Sequence, residues 1–281
     1  MMRTPLSFSY VLAALAIDVI ASTASATEPH TSARYLPSAN GRASIAWDTQ
    51  SNKLSQLLEH PYRYPSAGVQ SRNFAFDSYP GLRIGNQSAW LNGVAPLKVE
   101  YLPGTGVVHV VRNWQGVTVE EHDFAPMGLT ENAAFTVLKV TRTSGSGAIS
   151  AYQLFNYHLG AGSPSPDSNN EGMAWNAQRD AFYEWGPSGV ALGYGSIGAS
   201  SHHGCSPNNP YSSLLAQADL ADNAGTSQND AIAGLEASLG DLAVNATATV
   251  GWFSVLAPDA QAAAAIDRVR TWIGSRGPQK L

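Results

Sequence analysis

Between residues 97 and 142 apolar and polar positions alternate in short runs that glycine turns interrupt. Val99, Tyr101, Val108, Val110, Val117, Val119, Phe135, Val137 and Val140 supply the branched and aromatic side chains that suit a pleated surface. This period predicts consecutive antiparallel strands. Turns are expected at Pro103-Gly104-Thr105-Gly106 and at Gln115-Gly116, where glycine permits the positive φ of a tight hairpin.

The same pattern extends outward from this stretch. Residues 43–47 and 53–58 read as a first hairpin about a polar turn, and 73–76, 82–84 and 88–91 as short strands. Residues 149–159 predict a long strand, 181–185 and 190–194 a pair around Gly186-Pro187-Ser188-Gly189, and 247–256 another clear strand. Residues 231–239 carry helix-forming side chains but lie between sheet segments, and are assigned to a strand. Two stretches rich in Gly, Ser, Pro and Asn, 160–172 and 196–211, predict surface loops. After Pro258-Asp259 the residues Ile266, Val269 and Ile273 share one face at helical spacing, which predicts the one convincing helix. Many strands with closely spaced turns and almost no helix imply an all-β fold, a large antiparallel two-sheet sandwich with a C-terminal helix, and exclude a doubly wound parallel sheet.

The N-terminus does not belong to that pattern. Residues 1–3 are a short basic start, 6–21 are mostly apolar, and Ala24-Ser25-Ala26 is a small-residue cleavage site. Residues 1–26 are therefore expected to be a signal peptide and Thr27 the first mature residue, in a secreted or periplasmic protein. A membrane anchor is disfavoured by Asp18 and by a length short of the roughly 20 residues that spanning requires. Residues 27–257 are expected to form the sandwich, and 258–281 a linker helix.

Composition narrows the function. Charged residues make up 13% and apolar residues 44% of 281 positions, which fits a packed globule and not a disordered chain. With 16 basic and 21 acidic side chains and no basic run, nucleic acid is not an expected partner, and neither is a membrane. The single cysteine, Cys205, has no internal partner and reads as a buried or loop thiol.

Candidate chemistry is sparse. Gly193-Tyr194-Gly195-Ser196-Ile197-Gly198 has dinucleotide-site glycines but no helix follows, so no cofactor is expected. His202-His203-Gly204-Cys205 reads as a solvated loop, and Asp167, Asn169, Asn170 and Glu171 as turn formers, so no metal is expected. Glu120, Glu121 and Asp123 are the densest acid cluster. Strand alternation places Glu121 and Asp123 on one face and Glu120 with His122 on the other, and Glu121 and Asp123 are expected to be a solvent-facing charge set on an open sheet, with no catalytic residue. Sugar rings stack on exposed aromatics, and the candidates for carbohydrate contact are Tyr62 and Tyr64 in one segment and Trp175, Tyr183 and Trp185 beside the 160–172 loop.

An ordered series of segments then resembles a known family. It comprises Asn40-Gly41-Arg42, Leu57-Leu58-Glu59-His60-Pro61, Trp90-Leu91-Asn92-Gly93, Val119-Glu120-Glu121-His122-Asp123-Phe124-Ala125-Pro126, residues 134–141 and Phe155-Asn156-Tyr157-His158. Together they resemble the N-terminal β-supersandwich domain of prokaryotic glucoamylase and glucodextranase enzymes, glycoside hydrolase family 15. The resemblance implies a galactose mutarotase-like supersandwich that packs on a glucoamylase-like catalytic barrel or contacts α-glucan or another polysaccharide. The family's catalytic carboxylates lie on the barrel, so none is carried over. A free-standing carbohydrate-binding protein and a glycosidase or sugar-modifying enzyme with a site in the sandwich cleft are the alternatives.

Overall fold

The computed structural model describes residues 33–59, 71–226 and 230–276. The expected signal peptide, Tyr62 and Tyr64 lie outside the described residues. Strands are numbered along the chain. One sheet has eight strands, in the order β1 (Tyr35–Ala39), β2 (Ser44–Asp48), β3 (Lys53–Leu57), β4 (Ala75–Ile84), β10 (Ile149–Tyr157), β16 (Ile232–Gly240) and β14 (His202–Cys205), with β5 (Gln87–Trp90) also paired to β4. The second has nine, ordered β15 (Gly225–Thr226), β11 (Gly172–Asn176), β12 (Ala181–Trp185), β13 (Val190–Ser196), β17 (Thr247–Pro258), β9 (Asn132–Arg142), β8 (Val117–Phe124), β7 (Val108–Trp114) and β6 (Lys98–Tyr101). Neighbours pair antiparallel in both sheets.

The inner faces meet in a continuous apolar layer. Leu57, Phe74, Leu82 and Phe155 of the first sheet side pack with Val119, Leu138, Val140, Tyr194 and Trp252 of the second. Area removed from water stabilises this layer by about 25 cal/mol per Å². Each outer face carries a helix. Six-residue α1 (Pro210–Leu215) seats Leu214 among Tyr79, Trp90 and Tyr152, which explains why all nine residues of β10 are buried. The fifteen-residue α2 (Ala262–Arg276) lays Ala265, Ile266, Val269 and Ile273 on Phe135, Phe253 and Val255.

Most expected strands are present, and the differences have local causes. Asn73 makes only an isolated bridge to Leu58, while residues 75–76 and 82–84 belong to one strand, β4, which runs through Pro80. That residue falls between the single β3 pairing at Ser78 and the β5 pairing that begins at Gly81, a gap where proline's missing N–H costs little. The 196–211 loop contains β14 and leads into α1. Asn209 caps that helix by accepting from the Tyr211 backbone N–H at 2.9 Å, and Pro210 occupies its first turn. Six residues are too few to show helical periodicity, and β14 has no branched side chain to announce it. The residue 231–239 assignment to a strand agrees with β16. Among the described residues no helix is long and apolar enough to cross a membrane.

Close approach of α2 depends on a glycine. A Cβ at Gly193 of β13 would lie 2.5 Å from Ile266 of α2. Gly193→Ala is expected to push the helix outward and to lower stability by about 1–3 kcal/mol, measured as a shifted urea midpoint with an unchanged slope.

Candidate functional site

The acid-bearing strand β8 divides its side chains between two environments. Glu121 and Asp123 are each 1% exposed and lie between the sheets, which corrects the expectation that they form a solvent-facing set. The residue that makes this tolerable is Arg112 of β7, itself fully buried. Its Nη1 donates to Glu121 Oε2 and its Nε donates to the Val94 carbonyl at 3.2 Å. Asp123 accepts from the Thr136 hydroxyl at 2.6 Å, and burial followed by the Glu121 charge pushes its pKa well above the usual carboxylate range. Arg112 therefore serves Glu121, while its surroundings push Asp123 toward its protonated form.

Two more carboxyls are enclosed. Glu171 accepts from the backbone N–H of Leu159 at 2.6 Å and of Ala231 at 3.0 Å, and burial raises it to about 7 despite those donors. Glu184 accepts from the Tyr194 hydroxyl at 2.9 Å, and burial raises it strongly. Raised acids often mark catalytic sites. Here Asp123, Glu171 and Glu184 are at most 1% exposed, which leaves a substrate no approach to them.

The opposite face of β8 is accessible. A cleft of about 990 Å³ lies over the outer face of β8, β9 and β17, walled by the β6–β7 turn and by the end of α2. Phe124, Met127 and Trp272 give it apolar surface, and His122, Lys139, Thr249 and Arg276 give it polar surface. Arg276 stacks over the Trp272 ring at 4.7 Å, and Trp272 meets Phe135 edge-on, so the helix end is fixed to the sheet.

Beside the cleft a row of ionisable groups crosses three strands. Register places Glu100 of β6 opposite His109 of β7, and His109 opposite His122 of β8. The two imidazoles stack with centroids 4.8 Å apart at 13°. His109 Nδ1 is 3.3 Å from Glu100 Oε1, and its Nε2 is 3.3 Å from Glu120 Oε2. Lys139 donates to Glu120 Oε1 at 2.8 Å, and Lys98 pairs with Glu100 at 2.6 Å. Those lysine contacts lead the causes that hold both carboxyls below the usual glutamate range. Burial lowers His122, which keeps its ring neutral at neutral pH. Ligand atoms of His109, Glu120 and His122 lie within 4.8 Å of one another, the geometry from which a metal ion can be held.

The aromatics singled out from sequence do not form one platform. Trp175 faces inward, stacked on His203 at 3.9 Å and edge-on to Phe182. Tyr183 points to the other face, packed with the α2 cluster, and Trp185 is 40% exposed over Gly172. His202 and His203, expected in a solvated loop, instead sit on edge strand β14 and engage Asp222. Cys205 is buried there. Asp167 organises its turn by accepting from the Ala161 and Asn169 backbone N–H groups, each at 3.1 Å. The 193–198 glycines end strand β13 and open no helix. Sequence reasoning separated His122 from Glu121 and Asp123 but did not tell which face is outer, and it missed His109, Lys139 and Trp272. The first two follow from strand register, while the cleft depends on where α2 ends.

No protein-family model matches the chain. No curated protein matches it either. Solved structures do. A bacterial glucoamylase complexed with acarbose superposes with a TM-score of 0.59 at 11% identity, covering 84% of this chain and 36% of that one. The sandwich has that glucoamylase's β-domain fold. This is the supersandwich that the sequence resemblance implies, and the chain spans about a third of the glucoamylase's length. A putative aldose 1-epimerase from Escherichia coli K12 matches at TM-score 0.46 and 9% identity over 79% of this chain and 98% of its own. Heparan sulfate lyase HepC from Pedobacter heparinus matches at 0.42 and 10% over 80% and 37%.

The interior charges predict two unequal substitutions. Asp123→Asn replaces a group that is already neutral and is expected to change stability by less than about 1 kcal/mol, whereas Glu121→Gln strands the buried Arg112 charge and should cost about 3–5 kcal/mol. Chemical denaturation of both variants reads the difference. Glu171 sets a pH dependence of definite sign. Its folded pKa of about 7 exceeds the ordinary 4.5, so its contribution is complete below about 4.5 and is lost as pH rises to about 7. Thermal melts should show a smaller fall in Tm between pH 5 and pH 8 for Glu171→Gln than for the unaltered chain.

Proposed function

We propose that this chain is a secreted, non-catalytic supersandwich domain of a glucoamylase-like glycoside hydrolase system, which contacts α-glucan through the cleft between α2 and the β6–β7 turn and packs against a glucoamylase-like catalytic barrel. The cleft carries the reading. Trp272 and Phe124 offer apolar surface for the C–H faces of sugar rings, while Lys139, Thr249, His122 and Arg276 stand at hydrogen-bonding positions around it. The fold shared with part of a glucoamylase supports the carbohydrate assignment.

Electrostatics support the non-catalytic part. Glycoside hydrolysis by a carboxyl pair needs one acid that stays protonated near neutral pH. Glu120 and Glu100, the carboxyls beside the cleft, are held ionised by their lysines. Asp123 and Glu184, pushed well above the carboxylate range, are sealed between the sheets.

Native electrophoresis through gels containing soluble starch or dextran, with calorimetry on malto- and isomalto-oligosaccharides, tests the assignment. Retardation is expected, with binding about tenfold weaker for Trp272→Ala or Lys139→Ala and no release of reducing sugar. Unretarded migration in both gels and no heat with either oligosaccharide series would defeat it.

A further inference from the structure

We propose that His109, Glu120 and His122 bind one divalent transition-metal ion of the zinc type at the wall of the cleft, with Glu100 and Lys139 as positioning residues. The inference does not depend on the glycan reading. Three side chains from two adjacent, hydrogen-bonded strands converge, so the backbone fixes their spacing before any ion arrives. Zinc bonds to nitrogen and oxygen are about 2.0–2.2 Å, and a tetrahedral angle sets neighbouring ligand atoms about 3.3–3.5 Å apart. The His109 Nε2 to Glu120 Oε2 separation is 3.3 Å. All three ligand atoms fall within 4.8 Å, a span that side-chain rotation of His122 can close.

The groups around the cluster point the same way. A metal-bound histidine usually gives its other ring N–H to a carboxylate, which fixes tautomer and ring orientation. Glu100 Oε1 occupies that place, 3.3 Å from His109 Nδ1. Lys139 holds Glu120 by Oε1 and leaves Oε2 turned to His109. Two imidazoles and one carboxylate form a borderline donor set suited to zinc, nickel or copper and not to calcium or magnesium, which take oxygen ligands. Lys98 and Lys139 offset the carboxylates when no ion is bound, so uptake should be reversible and the fold should not depend on it. Three protein ligands leave a fourth position open, and His122 places it on the cleft, where a water or a ligand oxygen can complete the shell.

Calorimetric titration of the whole chain with Zn²⁺, after chelation and dialysis, tests the assignment. One equivalent should bind. His122→Gln and Glu120→Gln should each weaken binding at least tenfold, and Glu100→Gln about tenfold, as expected of a group that acts through His109. His202→Ala removes the histidine beside Asp219 and Asp222 on β14 and should leave the affinity unchanged. No zinc uptake, undiminished uptake in His122→Gln, or loss of uptake in His202→Ala would each overturn the proposal. Should a variant fold poorly by circular dichroism, histidine ring NMR signals of the unaltered chain decide instead: zinc must shift those of His109 and His122 before those of His202. Oligosaccharide titrations in chelator-treated buffer keep failure of this site distinct from failure of the glycan assignment.

Discussion

A two-residue turn governs the chemistry of both faces of the nine-stranded sheet. Gln115 and Gly116 both take positive φ, 46° and 75°, which matches the twist of the strands they join and locks Trp114 opposite Val117. Every pairing down β7 and β8 follows from that one. A slip of β8 by a single residue would turn Glu121 and Asp123 toward water, away from Arg112, and drive Glu120 and His122 into the apolar layer. The buried charge balance and the outer row of imidazoles are therefore two consequences of one register.

Burying so many polar groups has an energetic logic. Isolated buried charges would cost several kcal/mol each, and the structure limits this by pairing Glu121 with Arg112 and Glu236 with Arg83 and by raising the pKa values of Asp123 and Glu184. Glu171 ties the backbone of Leu159 to that of Ala231, residues far apart in the chain but joined through the sandwich core. Its protonation is thus coupled to the closure of both sheets. The raised carboxyls Asp123, Glu171 and Glu184 are braces of the interior, and the carboxyls beside the cleft, Glu100 and Glu120, are held ionised.

The fold was legible because alternation with period two and glycine turns are local signals. Val117, Val119 and the Gln115-Gly116 turn place β8 without knowledge of any distant residue. The same alternation separated Glu121 and Asp123 from Glu120 and His122. Which face was interior was not legible, since Arg112, the countercharge that makes burial possible, has a side chain ordinarily found at surfaces. His202-His203-Gly204-Cys205 failed for another reason: its strand state is imposed by pairing with β16 and by Asp222, neither of which has a local trace. Trp175 and Trp185 look equivalent in sequence, yet three-dimensional packing puts one on His203 and leaves the other over Gly172.

The position of the cleft follows from how far α2 reaches. Ile266 approaches β13 where Gly193 allows it, and the helix lies against β12, β13 and β17. It ends at Arg276 beside Trp272, before β8, β7 and β6 are covered. Apart from Val111 and Phe124, the outer side chains of those strands are polar or ionisable, while the helix-covered part of the same sheet carries Phe253, Val255 and Ala257. The packing of α2 thus divides a single sheet face into a helix-covered part and a part that lines the cleft, and the Glu100, His109 and His122 row lies beside the second.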